Sequence, residues 1–468
     1  MKRKHISTTI ENVEVTGMSS EGKGIAKIDG KVHFVKGAVP GDVVNLQTLK
    51  SKSKYAECSL GDVLMPSKDR VEPVCDYFGV CGGCKWQQVD YTAQLRFKQE
   101  IVSDAFERIG KVEVRERLPI VGSDNQYFYR NKMEYGFTDR RWLTIEEINS
   151  GMEFDRNGLG LHVAESFASV IDVNRCHLQA DIANEIRNAV RNFAKLQGLS
   201  FFDLKQQQGF LRNLMIRTSA AGEILVLLSV TENNEKEISA LMHFLQEKFP
   251  AINSLQYVIN PKRNDTIYDL EPITFYGKNY IIEKLGKYSF KIGPKSFFQT
   301  NTAQAIKLYD ITKDFAGLSG EENVYDLYTG VGSIGIYLSE ACKSITGIEQ
   351  IEEAIKDARE NASLNNVSNC TFYAGDVRMI LNKDFIEKHG KADVIVTDPP
   401  RSGMHEDVVK TLLEHQSKAI VYVSCNAATQ ARDIAMLSEK YEVEKMRAVD
   451  MFPQTTHIEN VAKLVLRR

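Results

Sequence analysis

The chain has 468 residues, 43% hydrophobic and 26% charged, a composition that fits an ordinary globular protein of roughly two to four domains and excludes collagen-like, fibrous and disordered classes. Lys and Arg number 59 against 62 Asp and Glu, a formal net charge of −3. That balance argues against a highly basic coat protein for nucleic acid and leaves room for a local basic surface. No apolar run of about 18 residues is present, so no membrane span is expected.

Met1-Lys2-Arg3-Lys4-His5 leads into polar residues and not into the apolar stretch of a secretory signal, so the expected compartment is the cytoplasm. Residues 1–60 hold ten Lys and Arg against six Asp and Glu and read as short strands with turns. Apolar and polar residues alternate over 10–15, and strands at 25–28 and 32–35 flank Asp29-Gly30, a strong hairpin signal. Pro40-Gly41 turns the chain into a further strand at 42–49. This spacing predicts a small five-stranded barrel over residues 1–65, an architecture that often binds oligonucleotides and serves equally as a generic β-domain.

Cys75, Cys81 and Cys84 place three thiols in ten residues around Gly82-Gly83, where the backbone is free to wrap an ion. In a reducing compartment such a cluster favours metal or Fe–S chemistry over disulfides. Three ligands require a fourth, and the spacing leaves zinc and Fe–S both open. Cys58, Cys342 and Cys370 read as ordinary core or surface residues. An amphipathic helix is predicted over 91–109. Tyr127-Phe128-Tyr129-Arg130-Asn131-Lys132 mixes aromatics and cations. That mix suits base stacking with phosphate contact through Arg130 and Lys132, or simply an amphipathic strand. The remainder of 110–290 alternates strand-like and helix-like stretches, such as a strand at 223–230 and a helix at 236–248, without a motif.

From about residue 300 the pattern becomes regular. Strands are predicted at 323–327, 344–348, 370–373, 392–397 and 419–424, with helices at 302–315, 334–341, 351–364, 405–415 and 429–440. Two closing strands follow at 442–450 and 458–466. Strands separated by helices of this length build a doubly wound parallel sheet. The first strand runs into Tyr328-Thr329-Gly330-Val331-Gly332-Ser333, where glycines let the backbone approach a ligand at the carboxyl edge of the sheet. Glu349 ends the second strand, where an acid can bond ribose hydroxyls. The pair indicates a nucleotide-containing cofactor, either a dinucleotide or S-adenosylmethionine. The full glycine pattern for a pyrophosphate is missing, which suits a cofactor without phosphates.

The fourth strand ends in Asp398-Pro399-Pro400-Arg401-Ser402-Gly403 and the fifth in Ser424-Cys425-Asn426. A thiol at that edge, with a helix N-terminus directly after it, is expected to have a pKa lowered from about 8.5. A thiolate beside a methyl donor suggests addition to a weakly electrophilic ring.

With Phe452-Pro453-Gln454-Thr455-Thr456-His457-Ile458-Glu459, these motifs make the chain resemble the S-adenosylmethionine-dependent RNA 5-methyluridine methyltransferases. The resemblance covers essentially the whole chain, including the cysteine cluster and Ser296-Phe297-Phe298-Gln299-Thr300-Asn301. It implies an α/β fold: a Rossmann-like class I methyltransferase domain at 296–468, an OB-like TRAM barrel at 1–65 that binds RNA, and a mixed α+β middle domain at 66–295. It implies that Cys425 adds to C6 of uracil and that Glu459 removes the C5 proton. Gln299, Tyr328, Ser333, Glu349, Asp376 and Asp398 match the cofactor positions, Glu349 taking the ribose and Asp376 the adenine side. Cys176 matches the fourth cysteine, and the resemblance favours a 4Fe-4S cluster on Cys75, Cys81, Cys84 and Cys176, structural or RNA-positioning in role.

Ala427 stands where the family usually has proline; a small effect on loop rigidity is expected. The barrel and cluster together resemble the branch acting on 23S rRNA more than the compact tRNA branch, and a monomer is expected. The alternatives are a tRNA uracil-5-methyltransferase and, in another class, a non-catalytic Fe–S RNA-binding protein. Cytosine-5 and amino-group methylation fit less well, the first for want of a second cysteine motif and the second because it needs neither Cys425 nor Glu459.

Overall fold

The computed structural model describes residues 9–166 and 168–467; the basic opening stretch, Met1 to His5, lies outside them. The N-terminal sheet has six strands, Thr9–Glu14, Gly17–Met18, Gly24–Ile28, Lys31–Lys36, Val43–Ser51 and Tyr55–Met65. Five were expected and four were placed; the other two are Tyr55–Met65 and the two-residue Gly17–Met18, which pairs with Gly24 and Ile25 and is too short to carry an alternation signal. Inward residues Val13, Ala26, Val35, Val44, Leu46 and Ala56 form its core.

The middle region builds a seven-stranded sheet in the order Val170–Asp172, Gly158–His162, Lys132–Thr138, Leu211–Thr218, Ile224–Val230, Ile252–Ile259, Ile273–Gly277. Ile224–Val230 is buried along its whole length. Its alternate residues serve two cores: Ile224, Val226, Leu228 and Val230 meet helices Asp181–Leu196 and Glu235–Lys248, while Leu225 and Leu227 join the core of the C-terminal domain. A strand covered on both faces reads as a continuous apolar run, as ILVLLSV does.

The C-terminal sheet contains β1 (Asn323–Leu327), β2 (Ser344–Glu349), β3 (Cys370–Ala374), β4 (Val394–Thr397), β5 (Ala419–Ser424), β6 (Tyr441–Val449) and β7 (Glu459–Leu466). Their order is β3-β2-β1-β4-β5-β7-β6, parallel from β3 through β5, with β7 antiparallel to both β5 and β6. An eighth strand, Val114–Val121, comes from the middle of the chain and pairs parallel to β6. It covers an edge that would otherwise offer unpaired backbone groups to other chains. Residues 66–295 therefore do not all lie in the middle sheet. The predicted helix 91–109 is α-helical over Tyr91–Asp104 and continues in wider π turns over Ala105–Gly110. No helix among the described residues is long and apolar enough to cross a membrane.

Candidate active site

The turn after β1 is built on left-handed backbone: Tyr328, Gly330 and Gly332 have φ of 63°, 56° and 79°. Gly332 caps the helix Ser333–Leu338, and a Cβ there would stand 3.1 Å from both Ala358 and Phe372, so a side chain does not fit. Buried Asp326, inside β1, braces the turn by accepting bonds from Thr329 Oγ1 and, at 3.0 Å, from the amide of Gly335. Its Oδ1 has no hydrogen-bond partner among the described residues. Burial, followed by the charge of Glu349, pushes this carboxyl up to about 7 despite those bonds.

Glu349, the last residue of β2, faces the same turn: Oε2 accepts from Gly330 N at 3.2 Å and Oε1 from Ile351 N at 3.0 Å. Asp376 follows β3 and caps the short helix Val377–Ile380 through Arg378 N at 2.9 Å. Ser333 shares its hydroxyl with buried Tyr309 at 2.9 Å. Gln299 comes from the segment before helix Thr302–Ala316, with its carbonyl accepting from Asn131 Nδ2 at 3.1 Å. Asn301 caps that helix and donates to Met451 O at 3.0 Å, which holds the segment against the loop before β7. A groove of about 670 Å³ lined by Arg359, Asn366, Cys370, Phe372 and Tyr373 lies along β3.

Cys425 follows β5, and Asn426 starts the next helix, Ala427–Leu437, by accepting from Ala428 N at 3.1 Å. Ala427 takes the first helical position, so the turn forms without the usual proline. Asn426 Nδ2 and Thr429 Oγ1 both donate to Arg401 O, at 3.0 and 3.2 Å. These bonds fasten the turn after β4 to the turn after β5. Glu459 opens β7 and is only 5% exposed.

The expected lowering of the thiol pKa is overturned. Burial and then the carboxylates of Glu459 and Asp398 push Cys425 up to about 11, against the opposing charge and hydrogen bond of Arg401. A helix terminus carries only about half a charge, too little to offset these effects. Burial and then the charge of Asp326 raise Asp398 to about 7; burial and then the charge of Asp398, against Arg401, raise Glu459 well above its ordinary range. His457 is driven down to about 4 by burial and by Arg401, Lys98, Arg130 and Lys85, leaving a neutral imidazole 3.3 Å from Arg401 in a cationic surround.

Residues 450–457 are clasped from several sides. Lys98 and Asp450, both fully buried, pair at 2.6 Å, and Tyr91 adds a bond at 3.0 Å. Gln454 O accepts from the amides of Lys85 and Trp86 at 2.9 and 3.1 Å, and its side chain and amide bond the buried Gln94 at 2.9 and 3.0 Å. Tyr129 donates to Pro453 O at 2.8 Å. The residues just after the cysteine loop thus hold the loop that leads to Glu459. Of the two cations singled out in the sequence, Lys132 pairs with Glu134 at 2.7 Å, while Arg130 lies 5.9 Å from the ring of Phe452.

Cys75, Cys81, Cys84 and Cys176 line one small cavity of about 30 Å³, together with Tyr77, Met133 and His177. Burial and then neighbouring thiols push Cys84 up to about 12; Cys81 rises to about 11. Among the described residues no three His, Cys, Asp or Glu side chains form a ready metal-binding group. The cavity is about the size of one water, and thiols packed around it stand apart from a ligating geometry. The donor set nevertheless fits: four soft sulfurs from two distant segments, lining one cavity.

Residues 273–467 match the family described as tRNA (Uracil-5-)-methyltransferase, and residues 8–60 match the TRAM domain. An uncharacterized RNA methyltransferase of Bacteroides thetaiotaomicron is 49% identical, spanning 96% of this chain and all of that one. Another from Porphyromonas gingivalis is 46% identical over 97% and 99% of the two chains. The chain belongs to the RNA uracil-5-methyltransferase family. Among solved structures, the Pyrococcus abyssi tRNA (uracil-54, C5)-methyltransferase with S-adenosyl-L-homocysteine superposes with a TM-score of 0.76 at 29% identity, over 97% of this chain and all of that one. The fold is accordingly the class I methyltransferase fold with an N-terminal TRAM domain, and the family's methyl donor is S-adenosylmethionine.

Two residues of this site escaped the sequence reading. Asp326 was visible as a lone acid inside an apolar strand, and Arg401 as the cation of the Asp-Pro-Pro-Arg turn. Their importance rests on what folds against them.

Proposed function

We propose that the chain makes 5-methyluridine in 23S rRNA, acting as a cytoplasmic monomer, with Cys425 as nucleophile and Glu459 as base. The observation that carries this reading is the convergence of Cys425, Glu459, Asp398 and Arg401, from three strand ends, beside the glycine turn and Glu349. S-adenosylmethionine, held by Gln299, Tyr328, Ser333, Glu349, Asp376 and Asp398, supplies an electrophilic methyl group when bound. Cys425 Sγ bonds to C6 of uracil as its proton passes to the Asp398 carboxylate, and the electron pair left on C5 takes up the methyl group. Glu459, ionised, then takes the C5 proton as the C6–S bond breaks, and the departing thiolate recovers its proton from Asp398. A positioned base of this kind contributes about 10²–10⁴-fold.

The four cysteines hold a 4Fe-4S cluster that orders the loop around Gln454, since no step above needs an electron. Iron and sulfide analysis of anaerobically purified protein tests this; zinc in their place overturns it.

The barrel with the cysteine cavity supports 23S rRNA. A second reading, tRNA, is favoured by the superposition on the Pyrococcus abyssi tRNA enzyme over nearly the whole chain. Methyl transfer from labelled S-adenosylmethionine to unmodified 23S rRNA and tRNA, followed by nucleoside analysis, separates them. Label in 5-methyluridine of 23S rRNA is expected, and Cys425→Ala should abolish it. Label in tRNA alone overturns the substrate, and transfer that survives Cys425→Ala overturns the mechanism.

A further inference from the structure

We propose that the Phe128 ring is a stacking platform for an unpaired RNA base flanking the target uracil, an inference that rests on the RNA-methylating function above. Phe128 is 45% exposed, whereas its neighbour Tyr129 is buried at 9%. Its backbone lies at φ 56°, in the left-handed region that crowds the Cβ of a large residue. That conformation is imposed by two bonds to the chain after Cys176: the Phe128 amide donates to His177 O and the Arg130 amide to Leu178 O, both at 2.8 Å. Strain of this kind persists only where the surroundings over-determine it, and it concentrates at ligand-binding positions. Here its product is an aromatic side chain left partly open to solvent.

The ring has companions suited to a base. The Arg175 guanidinium stands 5.7 Å from its centroid and is held by a two-pronged bond to Asp181 at 3.1 and 3.0 Å. The His177 ring lies 6.0 Å away, tilted by 58°. A fixed guanidinium beside an aromatic face is the chemistry that stacks bases without regard to sequence.

Position selects which base. Two residues past Phe128, Arg130 reaches the Phe452 ring, and Asn131 bonds the carbonyl of Gln299. The segment therefore leads from the platform to Phe452, in the loop before Glu459, and to Gln299, within about 10 Å of chain. Flipping a uracil into that pocket leaves its neighbours without a stacking partner, and Phe128 replaces what one of them loses.

The test uses full-length protein and a short single-stranded RNA carrying 5-fluorouridine with 2-aminopurine as its neighbour. Phe128→Gly removes the ring and relieves the left-handed strain, so its thermal midpoint should match or exceed that of the unsubstituted protein. It should nevertheless bind the RNA at least roughly fivefold more weakly and lose the quenching of 2-aminopurine that stacking produces. Phe128→Trp should keep both. Equal quenching by Phe128→Gly overturns the proposal, as does an unsubstituted protein that binds without quenching or does not bind. Covalent adduct formation between Cys425 and 5-fluorouridine, read on the same samples, reports the catalytic reading separately.

Discussion

Cys425 sits in surroundings that favour the thiol over the thiolate, burial and nearby carboxylates pushing it up to about 11. The sign is fixed by three neighbours: burial and the carboxylates of Glu459 and Asp398 raise the value, and Arg401 lowers it. Alkylation of Cys425 by iodoacetamide should therefore be slow at neutral pH and accelerate as pH rises toward 11. Asp398→Asn should move that profile to lower pH and Arg401→Gln to higher pH, as followed by peptide mass. Profiles that do not move would show that the carboxylates do not govern the thiol. The places of Cys425 and Glu459 at strand ends were legible, because short motifs surround them. The direction of the thiol's shift was not, because it depends on acids that β4 and β7 bring to the end of β5.

At the level of elements, the strands β1, β2, β3 and β5 lie where apolar runs and turn residues placed them, to within a residue or two at the ends. Pairing within the parallel sheet follows from short βα connections. The clasp on residues 450–457 has no such local origin. Gln94 and Gln454 exchange two bonds across 360 positions, and Lys98 meets Asp450 across 352. Lys98→Met would strand the Asp450 carboxylate in the interior and should cost about 3–5 kcal/mol of stability in urea unfolding. Adding Asp450→Asn should recover part of that loss, and a double variant no more stable than the single one would refute the pairing account. Gln94→Ala should lower kcat more than it weakens S-adenosylmethionine binding, because it loosens the loop before Glu459 and leaves the glycine turn intact. Equal losses in both would place Gln94 in general stability instead.

Across the whole molecule, the N-terminal sheet and the segment after the cysteine loop meet at that same loop. In the barrel, Gly22 lies at φ 81°, and a Cβ added there would stand 2.6 Å from Thr456 and 2.9 Å from Trp86 Nε1. Gly22→Val should therefore force the barrel away from the catalytic loop. The KM for RNA should rise with donor affinity unchanged, measured by steady-state methyl transfer and calorimetry; an unaltered KM would mean the barrel does not seat the RNA.

Patterns confined to a few turns or strands were readable along the chain: the strand and helix positions, the glycine turn, the cysteine spacing and the Cys425 and Glu459 motifs. Each depends on residues near one another in sequence. The eighth strand Val114–Val121, the six-stranded N-terminal sheet, the shared cavity of Cys75 and Cys176, the strained Phe128 and the raised Cys425 arise from contacts between segments tens to hundreds of positions apart. Chain folding chooses those contacts by burying surface, and burial also sets the local dielectric and the charges that each group feels.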